Sequence, residues 1–212
     1  MSNQMNVSTN NNSAKTVIEF YLLATKLKEL IRTGWKQWNV DRERLESVAE
    51  HVYGVSMLAI AMYSEYSYNI DIAKVITMLA IHELEEIEIS DITPFQGITP
   101  EEKKKMGHEA IRKILEPLIF APQYIRIIEE FDERRTDEAR FAYQCDKLEA
   151  DLTAFKYDME KKSFLVNAAD ELKNNPEIKQ FSDLGATCMS EFFYYYDRNK
   201  YDANFREVLE KM

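Results

Sequence analysis

"AIHELEEIEISDI" occupies residues 80 to 92. One histidine and five acidic residues sit in thirteen positions, among isoleucines and leucines suited to a core. A charged carboxylate is expensive to bury unless it is paired, hydrogen-bonded or bound to a metal. Adjacent helical residues point about 100° apart, so His82 and Glu83 can share one target only where a helix end faces it. Glu86, four residues after His82 and three after Glu83, shares their face. Glu85 and Glu88 point further away and read as solvated. A divalent cation would stabilise clustered carboxylates together with a neutral imidazole.

The totals agree with a helical protein. The 212 residues are 45% hydrophobic and 30% charged, with only five glycines and five prolines. So few turn-formers leave little room for the many tight turns of an all-β chain. The formal net charge is −10, which argues against nucleic acid as a partner. Lys103-Lys104-Lys105 is the longest basic run and reads as a solvated helix face. Cys145 and Cys188 stand in no metal-finger or redox spacing and read as reduced thiols of a cytoplasmic protein. The start lacks the basic and apolar regions of a secretory signal, and its Asn/Ser richness suggests a disordered tail over 1–14. No apolar run is long enough for a membrane span.

Hydrophobic periodicity predicts helices over Thr16–Ile31, Glu43–Tyr66 and Ile70–Ile89, with Gly34 as a breaker between the first two. The stretch 90–99 reads as a loop. Thr99-Pro100-Glu101-Glu102 is a helix start, with a threonine cap, proline in the first turn and acids at the positive end of the dipole. Further helices are expected to Leu115, over 121–133, over Thr136–Glu160, and two or three across 164–211. The expectation is a single all-α domain over 15–212.

Histidine is scarce: His51, His82 and His108. His108 reads as an ordinary helical residue. The H-E-x-x-H zincin pattern fails because Glu86 stands where its second histidine would be. The E-x-x-H carboxylate pattern fails because Val48 and Leu79 precede His51 and His82 by three.

Taken in order, "ESVAEHVYG" (46–54), "IHELEE" (81–86) and "QCDKLEAD" (144–151) resemble the HD-domain metal-dependent phosphohydrolases. The nearer resemblance is to the small 5′-deoxynucleotidase-like subgroup. It rests on "RTGWKQWNV" (32–40) before the first histidine, "SDITP" (90–94) after the second, and an acidic run before Asp146. It covers about residues 20–160, leaving 164–211 as C-terminal helices. It departs from the pattern at Glu83, where the family has aspartate, at Trp38, usually arginine, and at Ser90, usually glycine.

The resemblance implies an HD-type helical bundle that releases phosphate from (deoxy)nucleoside 5′-monophosphates. His51, His82, Glu83 and Asp146 would hold one divalent transition metal (Mn, Co, Fe, Ni or Zn). Glu86 and Asp91 would be the acid–base pair. Arg32 would bind the phosphate and Trp35 would wall the sugar–base pocket. It also makes a homodimer the expected assembly. Each residue has a second reading: Arg32 as a helix-terminal cation, Trp35 and Trp38 as core anchors, Asp146 as a partner of Lys147 or Arg140, and Glu149 and Asp151 as structural or solvated. Two alternatives stay open, a nucleotide-binding or regulatory protein with weakened chemistry, and a hydrolase of a cyclic nucleotide, alarmone or nucleoside triphosphate.

Overall fold

The computed structural model describes residues 13–212. Among them the regular structure is helical: α1 (Ser13–Ala24), α2 (Thr33–Gln37), α3 (Val48–Glu65), α4 (Ile72–Ile81), α5 (Glu86–Ile89), α6 (Pro100–Leu115), α7 (Ala121–Glu133), α8 (Asp137–Glu160), α9 (Asp170–Lys173), α10 (Pro176–Asp183), α11 (Met189–Asp197) and α12 (Ala203–Leu209), with 3₁₀ turns at Thr25–Lys28 and Leu165–Asn167. Extended pairing among the described residues is confined to two isolated bridges, Ile31 with Ser47 and Phe164 with Cys188. No helix of the described residues is long and apolar enough to cross a membrane.

Capping chemistry sets many of the boundaries. Ser47 and Glu50 form a reciprocal capping box that starts α3 at Val48, five residues later than the periodicity suggested. Thr99 and Glu102 form the same box on α6, as the sequence predicts. Asp71, Thr136, Asn175 and Asp202 each accept backbone N–H bonds at the starts of α4, α8, α10 and α12. The apolar pattern 16–31 gives a helix only to Ala24, then a tighter 3₁₀ turn. The pattern 70–89 divides, because regular α4 stops at Ile81 and α5 begins at Glu86. The C-terminal region holds four short α-helices, more than the two or three expected, because Asn175-Pro176 begins a new helix and Gly185, at φ +103°, breaks the chain again. Ser13 and Ala14, assigned to the tail, begin α1; residues 1–12 lie outside the described residues.

The long helix α8 packs against α3, α4, α7, α11 and α12. Val55, Met62, Val75, Met78, Leu79, Phe141, Leu148 and Phe205 fill the core that α8 shares with α3, α4 and α12. Trp35, Trp38, Tyr157, Ile178, Met189 and Phe192 form a second core under the C-terminal helices. Leu27, Val48, Leu84, Ile111, Leu115 and Ile128 form a third, beneath α6 and α7.

One carboxyl inside this packing is structural. Asp151 is fully buried. Its Oδ2 accepts from the Tyr201 hydroxyl at 2.5 Å, and its Oδ1 has no hydrogen-bond partner. Burial, then the neighbouring Asp197, push this carboxyl well above the usual range. A carboxyl raised on folding contributes stability below its unfolded pKa of about 3.9 that fades as pH rises through the folded value. Asp151→Asn keeps an acceptor for Tyr201 and removes that titration. Its stability relative to wild type should therefore improve as pH rises from about 4 to 8, read as urea midpoints across that range.

Candidate metal centre

The break after Ile81 creates the site. His82 is the C-terminal cap of α4, and residues 82–85 form a turn before α5. A helix end therefore faces the cluster, the geometry that lets adjacent His82 and Glu83 converge. His51 comes from the first turns of α3 and Asp146 from the middle of α8.

Ligand atoms of His51, His82, Glu83 and Asp146 all lie within 4.8 Å of one another. His51 Nε2 is 3.0 Å from Asp146 Oδ1 and 3.6 Å from Glu83 Oε1. His82 Nε2 is 3.5 Å from Glu83 Oε1 and 3.8 Å from Asp146 Oδ1. Both rings present Nε2 because Nδ1 is engaged elsewhere. His51 Nδ1 donates to Glu149 Oε2 at 2.5 Å, and His82 Nδ1 donates to the Leu79 carbonyl at 2.7 Å. Both partners are acceptors, so each Nδ1 carries a proton and Nε2 is the nitrogen each ring turns toward the cluster.

The donor set fits a divalent transition metal. Two imidazoles and two carboxylates suit such an ion, and His82 Nε2 is buried with no hydrogen-bond partner. Burial and Arg32 push the His51 imidazolium down, but hydrogen bonds to Asp146 and Glu149 outweigh them and raise it to about 9. The second proton thus sits where a cation would compete for the nitrogen. Burial opposes ionisation of Asp146, but Lys147, His51 and His82 hold it well below the usual carboxylate range.

Around this cluster is a cavity of about 630 Å³, within the roughly 300–1,000 Å³ typical of ligand pockets. Arg32, Trp35, Glu86 and Asp91 all line it together with His82, Glu83 and Asp146. Arg32 Nη1 is 3.8 Å from Glu83 and its Nε 4.0 Å from Glu46. Burial works against its charge, but Asp91, Glu83 and Glu46 hold the guanidinium protonated. Trp35 is both wall and core anchor: it is 2% exposed, donates to Glu46 at 2.9 Å and packs edge-on against Tyr157. Trp38 is equally buried, against Phe192. Asp91 Oδ2 accepts from the Thr33 backbone N–H at 2.5 Å, tying the loop after α5 to the segment carrying Arg32. Glu86 is 3% exposed, and its Oε2 has no partner. Burial, Glu83 and Asp91 raise it well above the carboxylate range.

Glu85 and Glu149 differ from the sequence reading or go beyond it, whereas Glu88 is exposed as expected. Glu85 is not solvated: its Oε2 is buried without a partner, and burial and Glu83 push the carboxyl up to about 8. Glu88 is exposed and pairs with Lys113. Glu149 is buried and holds His51; its place one helical turn after Asp146, on the same face, was the available signal. Asp146 serves two partners at once, with Oδ1 at the histidines and Oδ2 3.0 Å from Lys147. His108 bonds Asp132 at 2.5 Å at the cavity wall. Lys103, Lys147 and Lys200 also line the cavity, cations that lie far apart in the chain.

A helical protein that gathers two histidines and two carboxylates beside one cavity has the donor set for metal-ion catalysis. The family model for the HD domain matches residues 24–184, and the chain belongs to the HD-domain family. Among curated relatives, a 5′-deoxynucleotidase of Dictyostelium discoideum is 31% identical over 78% of this chain and 86% of its own. The human 5′-deoxynucleotidase is 30% identical over 79% of this chain and 83% of its own. Among solved structures, a predicted metal-dependent phosphohydrolase of Magnetospirillum magnetotacticum shares the fold, with a TM-score of 0.61 and 22% identity over 92% of this chain and 94% of that one.

Gly54 on α3 tests the support of His51. A Cβ there would stand 2.5 Å from Glu149 Oε1 and 3.2 Å from its Cγ. Gly54→Ala should displace Glu149 from His51 and weaken metal affinity by about 10–100-fold. A competitive chelator titration reads this directly, and unchanged affinity would contradict it.

Proposed function

We propose that this chain is a metal-dependent phosphomonoester hydrolase of 5′-deoxynucleotidase type, releasing phosphate from deoxynucleoside 5′-monophosphates. The observation that carries the reading is the convergence of His51 Nε2, His82 Nε2, Glu83 Oε1 and Asp146 Oδ1 beside Arg32. The deoxynucleotidase relatives, matched over most of both chains, support the substrate class.

His51, His82, Glu83 and Asp146 would hold one divalent ion, with Mn, Co, Fe, Ni and Zn all compatible with the donors. When bound, it supplies a Lewis acid and positive charge against phosphate. Arg32 binds the phosphate oxygens as a planar, permanently charged donor. Asp91, held by Thr33, orients the attacking water and takes its proton. The water oxygen forms the new bond to phosphorus as the ester bond to the 5′ oxygen breaks. Glu86, kept protonated by its surroundings, gives its proton to that departing oxygen. The products are a deoxynucleoside and inorganic phosphate. Trp35 walls the space beyond the phosphate.

The glutamate at position 83 favours a working enzyme over a weakened binding protein. Its longer side chain still brings Oε1 within 3.6 Å of both imidazoles. Glu83→Asp should therefore lower turnover rather than raise it. Glu86→Gln should cost about 10²–10⁴ in kcat with metal content preserved, whereas His82→Ala should lose both metal and activity. Phosphate release from a deoxynucleotide panel, alongside elemental analysis of each variant, checks all three. A fully active His82→Ala would sink the reading.

We assign the enzyme to the cytoplasm, supported by two buried free thiols. We assign a homodimer, supported by exposed apolar residues at helical spacing on α1 (Val17, Ile18, Tyr21, Leu22) and α3 (Tyr53, Met57, Ile60). We assign it small phosphorylated substrates, supported by Arg32 in the cavity, and no nucleic-acid or membrane partner, a reading the net charge of −10 favours.

A further inference from the structure

Gln37, the last residue of α2, is a polar side chain without a task in the chemistry above. It is 5% exposed and lines the same cavity as the metal cluster. Its Oε1 accepts from the Thr93 hydroxyl at 3.0 Å, while its Nε2 is buried with no hydrogen-bond partner. A buried N–H donor left without a partner is costly.

Its position relative to the phosphate end is set by two tethers. The segment after α5 is tied to α2 twice, Asp91 to the Thr33 N–H and Thr93 to Gln37. Arg32 and Asp91 mark one end of this paired run; Gln37 and Thr93 mark the other. The cavity that Gln37 lines also has aromatic walls. Trp38 lies against Phe192 at 5.5 Å, and Phe95 approaches Phe192 at 6.2 Å and Tyr196 at 6.3 Å between ring centroids. Aromatic faces with a single fixed donor suit a flat ring that carries a carbonyl oxygen.

We propose that Gln37 is a specificity-determining residue whose Nε2 donates to a ring carbonyl of the substrate's nucleobase, favouring such bases over adenine, which has none. This rests on the nucleotidase reading. A site built to hydrogen-bond a substrate group rejects the analogue lacking it more strongly than an apolar pocket can.

The test compares kcat/KM of the metal-loaded wild type, Gln37→Leu and Gln37→Met for dTMP, dAMP and deoxyribose 5-phosphate, which has no base. Wild type should prefer dTMP. Each variant should lower the dTMP-to-dAMP ratio about tenfold, with metal content and deoxyribose 5-phosphate turnover unchanged. Gln37→Met, of similar length, carries the test should Gln37→Leu fail to fold. A ratio within twofold of wild type, or an equal fall for all three substrates, would overturn the assignment while leaving the nucleotidase reading intact. Absence of phosphate release from any of the three by wild type would overturn both.

Discussion

The hydrogen bonds at the two Nδ1 atoms decide what this protein can do. Glu149 holds His51 from α8, and the Leu79 carbonyl holds His82 from the last turn of α4. Both partners can only accept, so both rings are compelled to turn Nε2 toward Glu83 and Asp146. Each acid and imidazole would be costly to bury alone. Together they form a cluster whose charges answer one another and whose converging nitrogen and oxygen atoms suit a cation. The scaffold follows from that requirement: α3, α4 and α8 must pack closely, and the same contacts build the largest core.

Electrostatics extend outward from the cluster in graded fashion. Arg32 sits among Asp91, Glu83 and Glu46 and stays charged despite burial. Glu86 lies deeper against the same acids without a hydrogen-bond partner for Oε2 and is driven toward its neutral form. Glu46 is likewise raised, to about 7, by burial and Glu149. One cavity thus holds a permanent cation beside a carboxyl that keeps its proton, the separation of roles that phosphate-ester cleavage needs. An acidic chain can serve an anionic substrate because the positive charge is local.

Much of this was legible in residue order. The scarcity of glycine and proline and the helical spacing of apolar residues pointed to an all-α fold, and the three motif segments named the four residues that converge. The capping box at Thr99 was readable because its partners are adjacent in sequence. What stayed hidden depends on tertiary approach. The interruption at residues 82–85 falls inside an unbroken apolar pattern, with no glycine or proline to announce it. Glu149 looked like one more acid on a charged helix, and Glu85 looked solvated, until α3 and α6 closed over them through Gly54 and Gly107. The tryptophan at 38, a departure from the family pattern, is explained by the aromatic core it joins.

The most direct test of the central claim is X-ray absorption at the metal edge of protein loaded with cobalt or manganese. A stoichiometric ion is expected, with scattering that requires two imidazole nitrogens with oxygen donors, and one imidazole should be lost in His51→Ala. A coordination shell without imidazole, or one unaltered in that variant, would contradict it.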